Sequence, residues 1–435
     1  MDISEIIRTL DKWNFWNQEI ETGIKRSLYL DKLNRYLKMP EIIALTGVRR
    51  AGKSTIILQV VENLIKEKKV NPQNTLYINF EEPSFENSLD FLVKVFDAYL
   101  EFHNPKGKIY LFLDEVQLVK NWERFVVSLY DRKTNIKIFI TGSSSKLLKN
   151  EISTLLSGRY LAETIYPLSF KEFLNFKKIN YHPLIKTPKL YNQLREYLEF
   201  GGFPRVVTEK DKHNKRVLLV EYFNSIIERD VTLRHKVRNV KDIKEIISFV
   251  FANISKQTST YKLEKSFNIS SQNIRRYFEY FEEAFLLQFA PFFSYSVKKQ
   301  IYNPQKIFSI DTGLRNAVSF KFSEDIGKLL ENLVFTEFLR KKEVPYYWEN
   351  GAEIDFLLRK GYKVSELFNV CYSINNKATL EREIKSLEKG LLEFKKSKAS
   401  LIYWEGQPIK HSKIKFINIL GFLLNENNLF QRIYD

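Results

Sequence analysis

The residue types best suited to chemistry are concentrated in residues 47–55, which read GVRRAGKST. This segment has the spacing G-x-x-x-x-G-K-S. Glycines at these positions let successive backbone N–H groups converge on phosphate oxygens, the lysine neutralises the β- and γ-phosphates, and the serine hydroxyl ligates Mg²⁺. The side chains of Arg49 and Arg50 can face either phosphate or solvent. We therefore predict a nucleotide-phosphate site formed by Gly47, Arg50, Gly52, Lys53, Ser54 and Thr55.

A pair of acids, Asp114 and Glu115, follows the apolar segment IYLFL. Carboxylates at the end of a buried strand suit a phosphate-hydrolysing site. Asp114 would complete the Mg²⁺ shell with Ser54, and Glu115 would polarise the attacking water as the catalytic base. The alternative is a pair of surface acids in a turn. We favour the first interpretation because the pair follows an apolar run downstream of the glycine-rich loop.

Two further positions are candidates for contact with a phosphate. From Thr141 onward the segment IKIFITGSSS consists of small residues. Among them, Ser143 is the candidate nucleotide contact. A hydroxyl at this strand tip can hydrogen-bond the γ-phosphate or the attacking water, although an ordinary strand-to-helix turn needs the same residue types. Arg159, in LLSGRYL, is a catalytic candidate because a bidentate guanidinium suits transition-state charge. It could act in its own chain or in a neighbour's, which would make the protein a homo-oligomer.

These residues need a scaffold that brings strand ends together, and the apolar runs indicate one. Short β-rich runs alternate with segments whose apolar residues are three and four apart. Continuous apolar strands that alternate with helices predict an α/β fold with a parallel sheet covered on both faces. The runs lie at residues 41–47, 75–80, 108–114, 135–141 and 160–165.

Composition limits the class of protein and of partner. The 435 residues carry 69 basic and 52 acidic side chains, a net charge of +17. This excess favours an anionic partner such as nucleic acid, although a generally lysine-rich surface gives the same count. The single cysteine excludes a disulfide framework and a cysteine-rich zinc site. The longest uncharged stretch, residues 284–297, is too short to span a membrane, so we expect a soluble cytoplasmic protein.

Seven motifs follow one another in order and spacing: GVRRAGKST, FLDEVQ, ITGSSSKLL, LSGRYL, YPLSFKEFL, FGGFPRVV and DTGLRNAV. In these motifs the chain resembles archaeal and bacterial AAA-type ATPases that carry a winged-helix segment and a nuclease-like C-terminal domain. The resemblance implies an ASCE-type P-loop sheet in which strand 135–141 separates strand 108–114 from the P-loop strand. It also implies a helical lid, closing over the nucleotide, whose GGxP turn is formed by Gly201, Gly202 and Pro204.

The resemblance and the patterning together predict five regions. They are a helical lead-in at 1–40, a P-loop ATPase core at 41–166, a helical lid at 167–238, a winged helix at 239–320 and a nuclease-like domain at 321–435.

The predicted winged helix offers a candidate DNA contact. In residues 259–287 a short helix and a turn precede a second helix, whose N-terminal side chains are of types that read base edges or grip phosphate. Lysines follow in the predicted β-wing, including Lys306. The alternative is that the segment packs against the nucleotide domain, because the end of the second helix, YFEYFEEAFLL, is largely core. The candidate DNA contacts are Gln272, Asn273, Arg275, Arg276, Lys298 and Lys299.

The C-terminal region resembles the PD-(D/E)xK nuclease core, in which acids and a lysine activate a metal-bound water. Glu331 lies on a helix and Asp355 lies between apolar strand residues. The E-x-K positions, however, hold Asn369 and Cys371, which supply neither a second metal carboxylate nor a cation. We therefore expect a degenerate site that does not cut DNA, unless a lysine from elsewhere replaces the missing one; Lys377 and Lys385 are the candidates for that.

Two function classes remain open. The first is a Mg²⁺-dependent, ATP-hydrolysing enzyme that couples nucleotide state to the position of the lid and to DNA binding by the winged helix. The second is a slow nucleotide-gated switch that holds DNA or a protein partner without significant turnover. An active nuclease is a third and less favoured class, because of Asn369 and Cys371.

Overall fold

A computed structural model describes residues 1–133, 135–144, 156–182, 187–319 and 326–424. These residues form two compact units, Met1–Ile165 and Tyr166–Asp435. Within the described ranges, no helix combines the length and the apolar character needed to cross a bilayer. The predicted boundary between residues 320 and 321 lies outside the described residues.

The first unit is built on a five-stranded sheet in which all strands are parallel, in the order β2-β3-β4-β1-β5. Strands β1 to β4 are almost entirely buried because helices cover both faces of the sheet, whereas the edge strand β5 is half-buried. The predicted P-loop sheet is thereby confirmed, and β4 lies between β3 and β1 as expected. The strands are β1 (Ile42–Thr46), β2 (Thr75–Asn79), β3 (Ile109–Asp114), β4 (Ile136–Gly142) and β5 (Tyr160–Thr164).

Five helices lie around this sheet in the described residues of the first unit, and the N-terminal lead-in contributes two of them. The apolar side of the first helix, with Ile6 and Leu10, is buried in the same core as the strands. The Trp16 indole N–H donates to the Thr75 carbonyl at the start of β2, 2.8 Å away. The lead-in therefore packs as part of the first unit. The helices are α1 (Ile3–Asp11), α2 (Ser27–Tyr36), α3 (Lys53–Lys66), α4 (Leu89–His103) and α5 (Trp122–Asp131).

The second unit begins with helices, in agreement with the helical prediction for this region. They are α6 (Phe170–Phe176), α7 (Pro188–Phe200), α8 (Pro204–Thr208), α9 (Lys212–Ser225) and a π-helical continuation, Ile226–Leu233. The turn between α7 and α8 needs glycine. A Cβ on Gly201, whose φ is 73°, would lie 1.9 Å from Asp311 Oδ1. The Gly202 N–H donates to Asp311 Oδ2 at 2.7 Å, so the FGGFPRVV and DTGLRNAV motifs pack on each other.

The next region combines helices with a small antiparallel sheet of order β6-β8-β7. Asn268 adopts the left-handed conformation between two helices, and the Ser270 side chain caps the second. The elements are α10 (Val240–Ala252), β6 (Lys256–Thr258), α11 (Thr260–Phe267), α12 (Ser271–Glu283), β7 (Leu287–Ala290), α13 (Val297–Tyr302), β8 (Gln305–Ser309) and α14 (Thr312–Val318).

The C-terminal part is a mixed five-stranded sheet of order β13-β12-β11-β10-β9. Strands β9 to β11 pair antiparallel, whereas β11 to β13 pair parallel. The elements are α15 (Ile326–Arg340), β9 (Tyr346–Glu349), β10 (Glu353–Lys360), β11 (Lys363–Ser373), α16 (Lys377–Glu393), β12 (Lys398–Glu405), β13 (Ile414–Asn418) and α17 (Ile419–Leu424).

Candidate functional site

The glycine-rich loop connects β1 to α3, and its backbone depends on two glycines. Gly47 and Gly52 have φ values of 143° and 95°, which residues with a Cβ atom rarely adopt. A Cβ on Gly47 would lie 2.1 Å from the Ile165 carbonyl oxygen, so only glycine fits there. The loop then ends at Lys53, the first residue of α3, with the exposed N–H groups of that helix directed to the loop.

Lys53 is buried, but its ammonium group is only loosely held. Its Nζ donates to the carbonyl oxygens of Gly47 at 3.0 Å and Val48 at 3.4 Å. The same atom lies 3.7 Å from Glu115 Oε1. These contacts are with neutral carbonyls and one distant carboxylate, so an anionic phosphate entering the loop can replace them at little cost.

Asp114 is held by two hydroxyl groups at the end of β3. Its Oδ2 accepts a hydrogen bond from the Tyr77 hydroxyl at 2.6 Å, and its Oδ1 accepts one from the Thr141 hydroxyl. Burial raises the pKa of Tyr77 well above its usual range, and the negative charges of Asp114 and Glu115 add to this effect. Tyr77 therefore stays protonated. Tyr77 thus orients Asp114, one of the two predicted Mg²⁺ ligands, from the adjacent strand.

Glu115 has a strained backbone and a restrained side chain. Its φ of 53° places a non-glycine residue in the left-handed region. Its N–H donates to Thr141 Oγ1 at 2.9 Å, and its Oε2 accepts a hydrogen bond from Gln117 Nε2 at 2.5 Å. Thr141 is fully buried and contacts both acids, and Ser143 is buried at the same strand end. The two acids are thus fixed in orientation next to the loop.

The donor set at this strand edge fits a Mg²⁺ ion. The Ser54 hydroxyl and the Asp114 carboxylate are oxygen ligands of the kind that Mg²⁺ prefers. Over the part of the chain that the structure describes, no group of three or more His, Cys, Asp or Glu side chains is arranged to hold a metal ion. Phosphate oxygens and water would therefore supply the remaining ligands, as is usual for Mg²⁺ bound with a nucleotide.

Of the three arginines considered in the sequence, Arg49 and Arg50 lie in the glycine-rich loop, whereas Arg159 lies elsewhere. Arg49 Nη1 lies 2.7 Å from Glu81 Oε1, and Arg50 is exposed, as is Thr55. Arg159 precedes β5, which pairs with β1 in parallel, so it lies at the edge opposite the loop. Five strand residues at about 3.3 Å each separate the two edges. A phosphate contact of Arg159 within its own chain is therefore not supported by this geometry, and a contact with a neighbouring chain stays a prediction.

The six predicted DNA-contact residues are exposed, whereas Lys306, which follows them in the sequence, is buried. Helix α12 buries its apolar side, including Ile274 and Phe281, in its own unit. Its polar side and the two lysines of α13 face solvent. Of the lysines predicted to lie in a β-wing, Lys306 lies on strand β8 but is only 2% exposed, whereas Lys298 and Lys299 lie on helix α13, which corrects the prediction for those two. The exposed residues are Gln272, Asn273, Arg275, Arg276, Lys298 and Lys299.

Lys306 lies among the acids of the C-terminal region. Its Nζ is 3.0 Å from Glu331, 3.1 Å from Asp355 and 2.6 Å from Glu353. Burial alone would lower the pKa of Lys306, but the three carboxylates raise it well above its usual range. Burial also raises the pKa of Glu331, with the Lys306 charge acting against that rise. The lysine that meets these acids thus comes from β8, whereas the candidates Lys377 and Lys385 are both exposed.

The two residues at the E-x-K positions have no cationic or anionic role in this cluster. Asn369 accepts from the Asp355 N–H at 3.2 Å and donates to Glu383 Oε2 at 2.7 Å. Cys371 is buried, and burial, with the charges of Glu383 and Asp355, raises its pKa to about 12. A neutral thiol at this position agrees with the sequence-based prediction.

Sequence reasoning missed Tyr77 and Lys306. A tyrosine in the run TLYINF is more often core than part of a site, and nothing in the sequence links it to Asp114. Lys306 carried a weak signal, because a lysine preceding the apolar run IFSI in a strand needs a partner if it is buried.

Comparison with known protein families gives three consecutive matches. Residues 39–174 match an AAA domain. Residues 191–325 match a domain of unknown function (DUF8612), and residues 326–420 match another (DUF4143).

Similarity to individual proteins extends over most of the chain. An uncharacterized protein of Methanocaldococcus jannaschii, MJ1544, is 40% identical over 417 residues, which are 92% of this chain and 90% of that protein. An uncharacterized protein of Haemophilus influenzae is 34% identical over 349 residues, which are 78% of this chain and 85% of that protein. Among solved structures, the Walker-type ATPase PABY2304 of Pyrococcus abyssi is 15% identical with a TM-score of 0.43, over 70% of this chain and 99% of that chain.

Proposed function

Because the chain belongs to an AAA-type ATPase family, that of the Methanocaldococcus protein MJ1544, we propose that it is a Mg²⁺-dependent enzyme that hydrolyses ATP to ADP and phosphate. The observation that carries the proposal is the buried Lys53 ammonium of the glycine-rich loop, which contacts two carbonyl oxygens and lies 3.7 Å from Glu115 Oε1. It brings the lysine of one motif and a carboxylate of another together at the loop, as hydrolysis of a bound nucleotide requires.

Each residue of the site has a distinct role in this proposal. Lys53 exchanges its carbonyl partners for the β- and γ-phosphates. Ser54 and Asp114 would hold the metal ion, which would supply positive charge next to the phosphates. Glu115 accepts the proton of the attacking water, since its carboxylate already faces the loop at 3.7 Å from Lys53 Nζ.

A second candidate function is the slow nucleotide-gated switch. The observation that favours it is the Gln117 amide, which occupies Glu115 Oε2 at 2.5 Å. A carboxylate that keeps this hydrogen bond accepts a proton less readily, because a donated hydrogen bond stabilises its ionised form. In that case the chain would bind ATP and change state with little turnover.

We further propose that nucleotide state is coupled to duplex DNA binding through a winged helix formed by residues 239–320. The exposed polar side of α12 and the net charge of +17 support this proposal. The order of α10 to α12 with the antiparallel β6-β8-β7 sheet also supports it. The Arg275 and Arg276 side chains would grip phosphate, while Gln272 and Asn273 face base edges.

Steady-state phosphate release, with and without duplex DNA, tests the two functions together. An ATPase coupled to DNA gives sustained turnover that DNA changes, whereas a switch gives a single burst with ADP or ATP retained. DNA affinity should fall steeply with salt, because phosphate contacts release counterions. Arg275→Ala with Arg276→Ala should weaken binding further. The matched control is Lys410→Ala with Lys413→Ala, which removes the same charge from exposed positions elsewhere.

We propose that the C-terminal region keeps a nuclease-like arrangement without cutting DNA. The Lys306 ammonium lies within 3.1 Å of both Glu331 and Asp355, between the carboxylates that would hold a metal ion. The test is incubation with linear, supercoiled and branched DNA in Mg²⁺ and in Mn²⁺, where we expect no cleavage. Cleavage that disappears in Asp355→Ala would contradict the proposal and would make Lys306 the functional lysine.

A further inference from the structure

Helix α13 and the residue preceding its N-cap form an exposed aromatic surface. No residue of α13 is buried, although three of its six side chains, Val297, Ile301 and Tyr302, are large and apolar or aromatic. Ile301 and Tyr302 are 75% and 78% exposed, and Tyr295 is 71% exposed. Large exposed apolar side chains that lie this close together in the sequence mark an interaction surface more often than they arise by chance.

Local hydrogen bonds keep this segment ordered without apolar burial. The Ser296 side chain caps α13 by accepting from the Lys299 N–H at 3.4 Å, and Gln300 Nε2 donates to the Ser294 carbonyl. The Tyr295 ring packs edge-on against the buried Phe293 ring, with 5.2 Å between centroids. The contact restrains the Tyr295 ring, which is 71% exposed, and this lowers the entropy cost of stacking a ligand on it.

The charges around this surface fit a polyanion at its rim and neutral rings in its centre. Lys298 and Lys299 are exposed on α13 itself. Arg275, on α12, lines the same groove of about 580 Å³ as Ile301 and Tyr302. The groove floor is apolar, and two acids, Glu279 and Glu282, also line it. Phosphates would avoid these acids and follow the lysines, whereas the exocyclic amino groups of bases can donate to them.

We propose that this surface, formed by Tyr295, Ile301, Tyr302 and the two lysines, binds unpaired bases by stacking. The chain then prefers a duplex with a single-stranded tail to a blunt duplex, because α12 holds the duplex while the tail lies on α13. Aromatic side chains flanked by basic ones are the usual platform for single-stranded nucleic acid. The inference rests on the proposed DNA contact of α12 and adds the class of DNA that is bound.

The experiment compares a blunt duplex with the same duplex carrying a single-stranded tail, using fluorescence anisotropy of the full-length protein. We expect the tailed duplex to bind about tenfold more tightly, the size of effect expected for one well-stacked base. Tyr295→Ala with Tyr302→Ala should abolish this preference and leave blunt-duplex affinity unchanged. Tyr295→Phe with Tyr302→Phe should keep the preference, because stacking needs the ring and not the hydroxyl. A 2-aminopurine base in the tail should be quenched by the wild type and not by the double alanine variant.

The matched control is Tyr362→Ala, since Tyr362 is 92% exposed on another part of the chain. It should behave as the wild type with both probes. Equal wild-type affinity for the two duplexes, or a preference that survives the double alanine variant, overturns the inference while leaving duplex binding by α12 intact. If the wild type binds neither duplex, both the inference and the proposed duplex contact of α12 are overturned. Sedimentation that shows a wild-type dimer and a monomeric double alanine variant also overturns the inference, since the surface would then belong to a second copy.

Discussion

Two of the buried lysines in the described residues, Lys53 and Lys306, lie next to carboxylates of a predicted site, and they differ in how tightly each lysine is held. In the first unit, Lys53 lies 3.7 Å from Glu115, and its nearer partners are neutral carbonyls. In the second unit, the Lys306 ammonium lies within 3.1 Å of three carboxylates. Residue types are therefore a poor guide to function by themselves, because the same acids and lysine can form an open site or a closed one.

The difference follows from what else surrounds each acid. Hydroxyl groups of Tyr77 and Thr141 satisfy Asp114, which leaves Lys53 available for an incoming anion. At Asp355, backbone N–H of Val370 satisfies one oxygen and Lys306 satisfies the other. A cluster whose charges already balance gains little from a ligand, whereas a loop with a loosely held ammonium gains a full charge-assisted interaction.

The largest effect that we predict is at the open lysine. Lys53→Ala should abolish ATP binding or reduce hydrolysis to background, because no other side chain in the loop supplies a mobile point charge. The measurement is binding of a fluorescent ATP analogue, followed by phosphate release. Lys66→Ala is the control, since Lys66 ends the same helix with a side chain that is 50% exposed. Near-normal hydrolysis by Lys53→Ala would show that the site is elsewhere.

Glu115→Gln should separate binding from chemistry. The metal ligand Asp114 and Lys53 remain, so ATP still binds, but loss of the base should slow hydrolysis by about 10²- to 10⁴-fold. Isolation of the protein with intact ATP bound would be the expected result. If turnover in this variant equals that of the wild type, Glu115 is not the base, and the open cluster can no longer be called a catalytic site.

Breaking the closed cluster should affect stability rather than catalysis. Lys306→Met leaves buried carboxylates without their partner, which typically costs about 3–5 kcal/mol. Urea unfolding of the full chain should show this loss for the second unit, while ATP binding is kept. Adding Glu331→Gln should restore part of the stability, because fewer charges then remain uncompensated. Lys299→Met, at an exposed position, is the control. A destabilisation equal to that of the control would mean that the cluster is not neutralised by Lys306.

The sequence predicted the first unit well because its signals are local. Continuous apolar runs identified all five strands of the parallel sheet, and the loop motif placed Lys53 and Ser54 at a strand–helix junction. Asp114 and Glu115 follow from the same logic, since parallel strands end at one edge. What the pattern could not give is Tyr77, which lies on β2 and reaches Asp114 at the end of the adjacent strand β3.

The second unit was less predictable because its decisive contacts join distant segments. Lys306 and Asp355 are 49 positions apart, and they lie in different sheets. Asp311 and Gly202 are 109 positions apart, and no periodicity relates them. Local patterning specifies which residues are apolar, but it does not specify which buried polar group will meet which partner.

Asp311 extends the comparison to a carboxylate held mainly by backbone N–H groups. It accepts from Gly202 at 2.7 Å and from Leu314 at 2.9 Å. Burial raises its pKa from 3.8 to about 6, although these hydrogen bonds act to lower it. A raised pKa in the folded state stabilises the fold below pH 4, and this contribution is lost as pH rises through 6.

The pKa difference corresponds to a loss of roughly 3 kcal/mol, at about 1.4 kcal/mol per unit. Asp311→Asn cannot titrate, so its free energy of unfolding should lack this fall. The variant should be less stable than the wild type at low pH, because its Nδ2 cannot accept from Gly202, and the gap should narrow with rising pH. Urea midpoints of both proteins across the pH series test this, since Glu331 and other shifted acids are present in both and cancel. Parallel curves would show that Asp311 titrates with an ordinary pKa, because its charge is then fully compensated in the folded state.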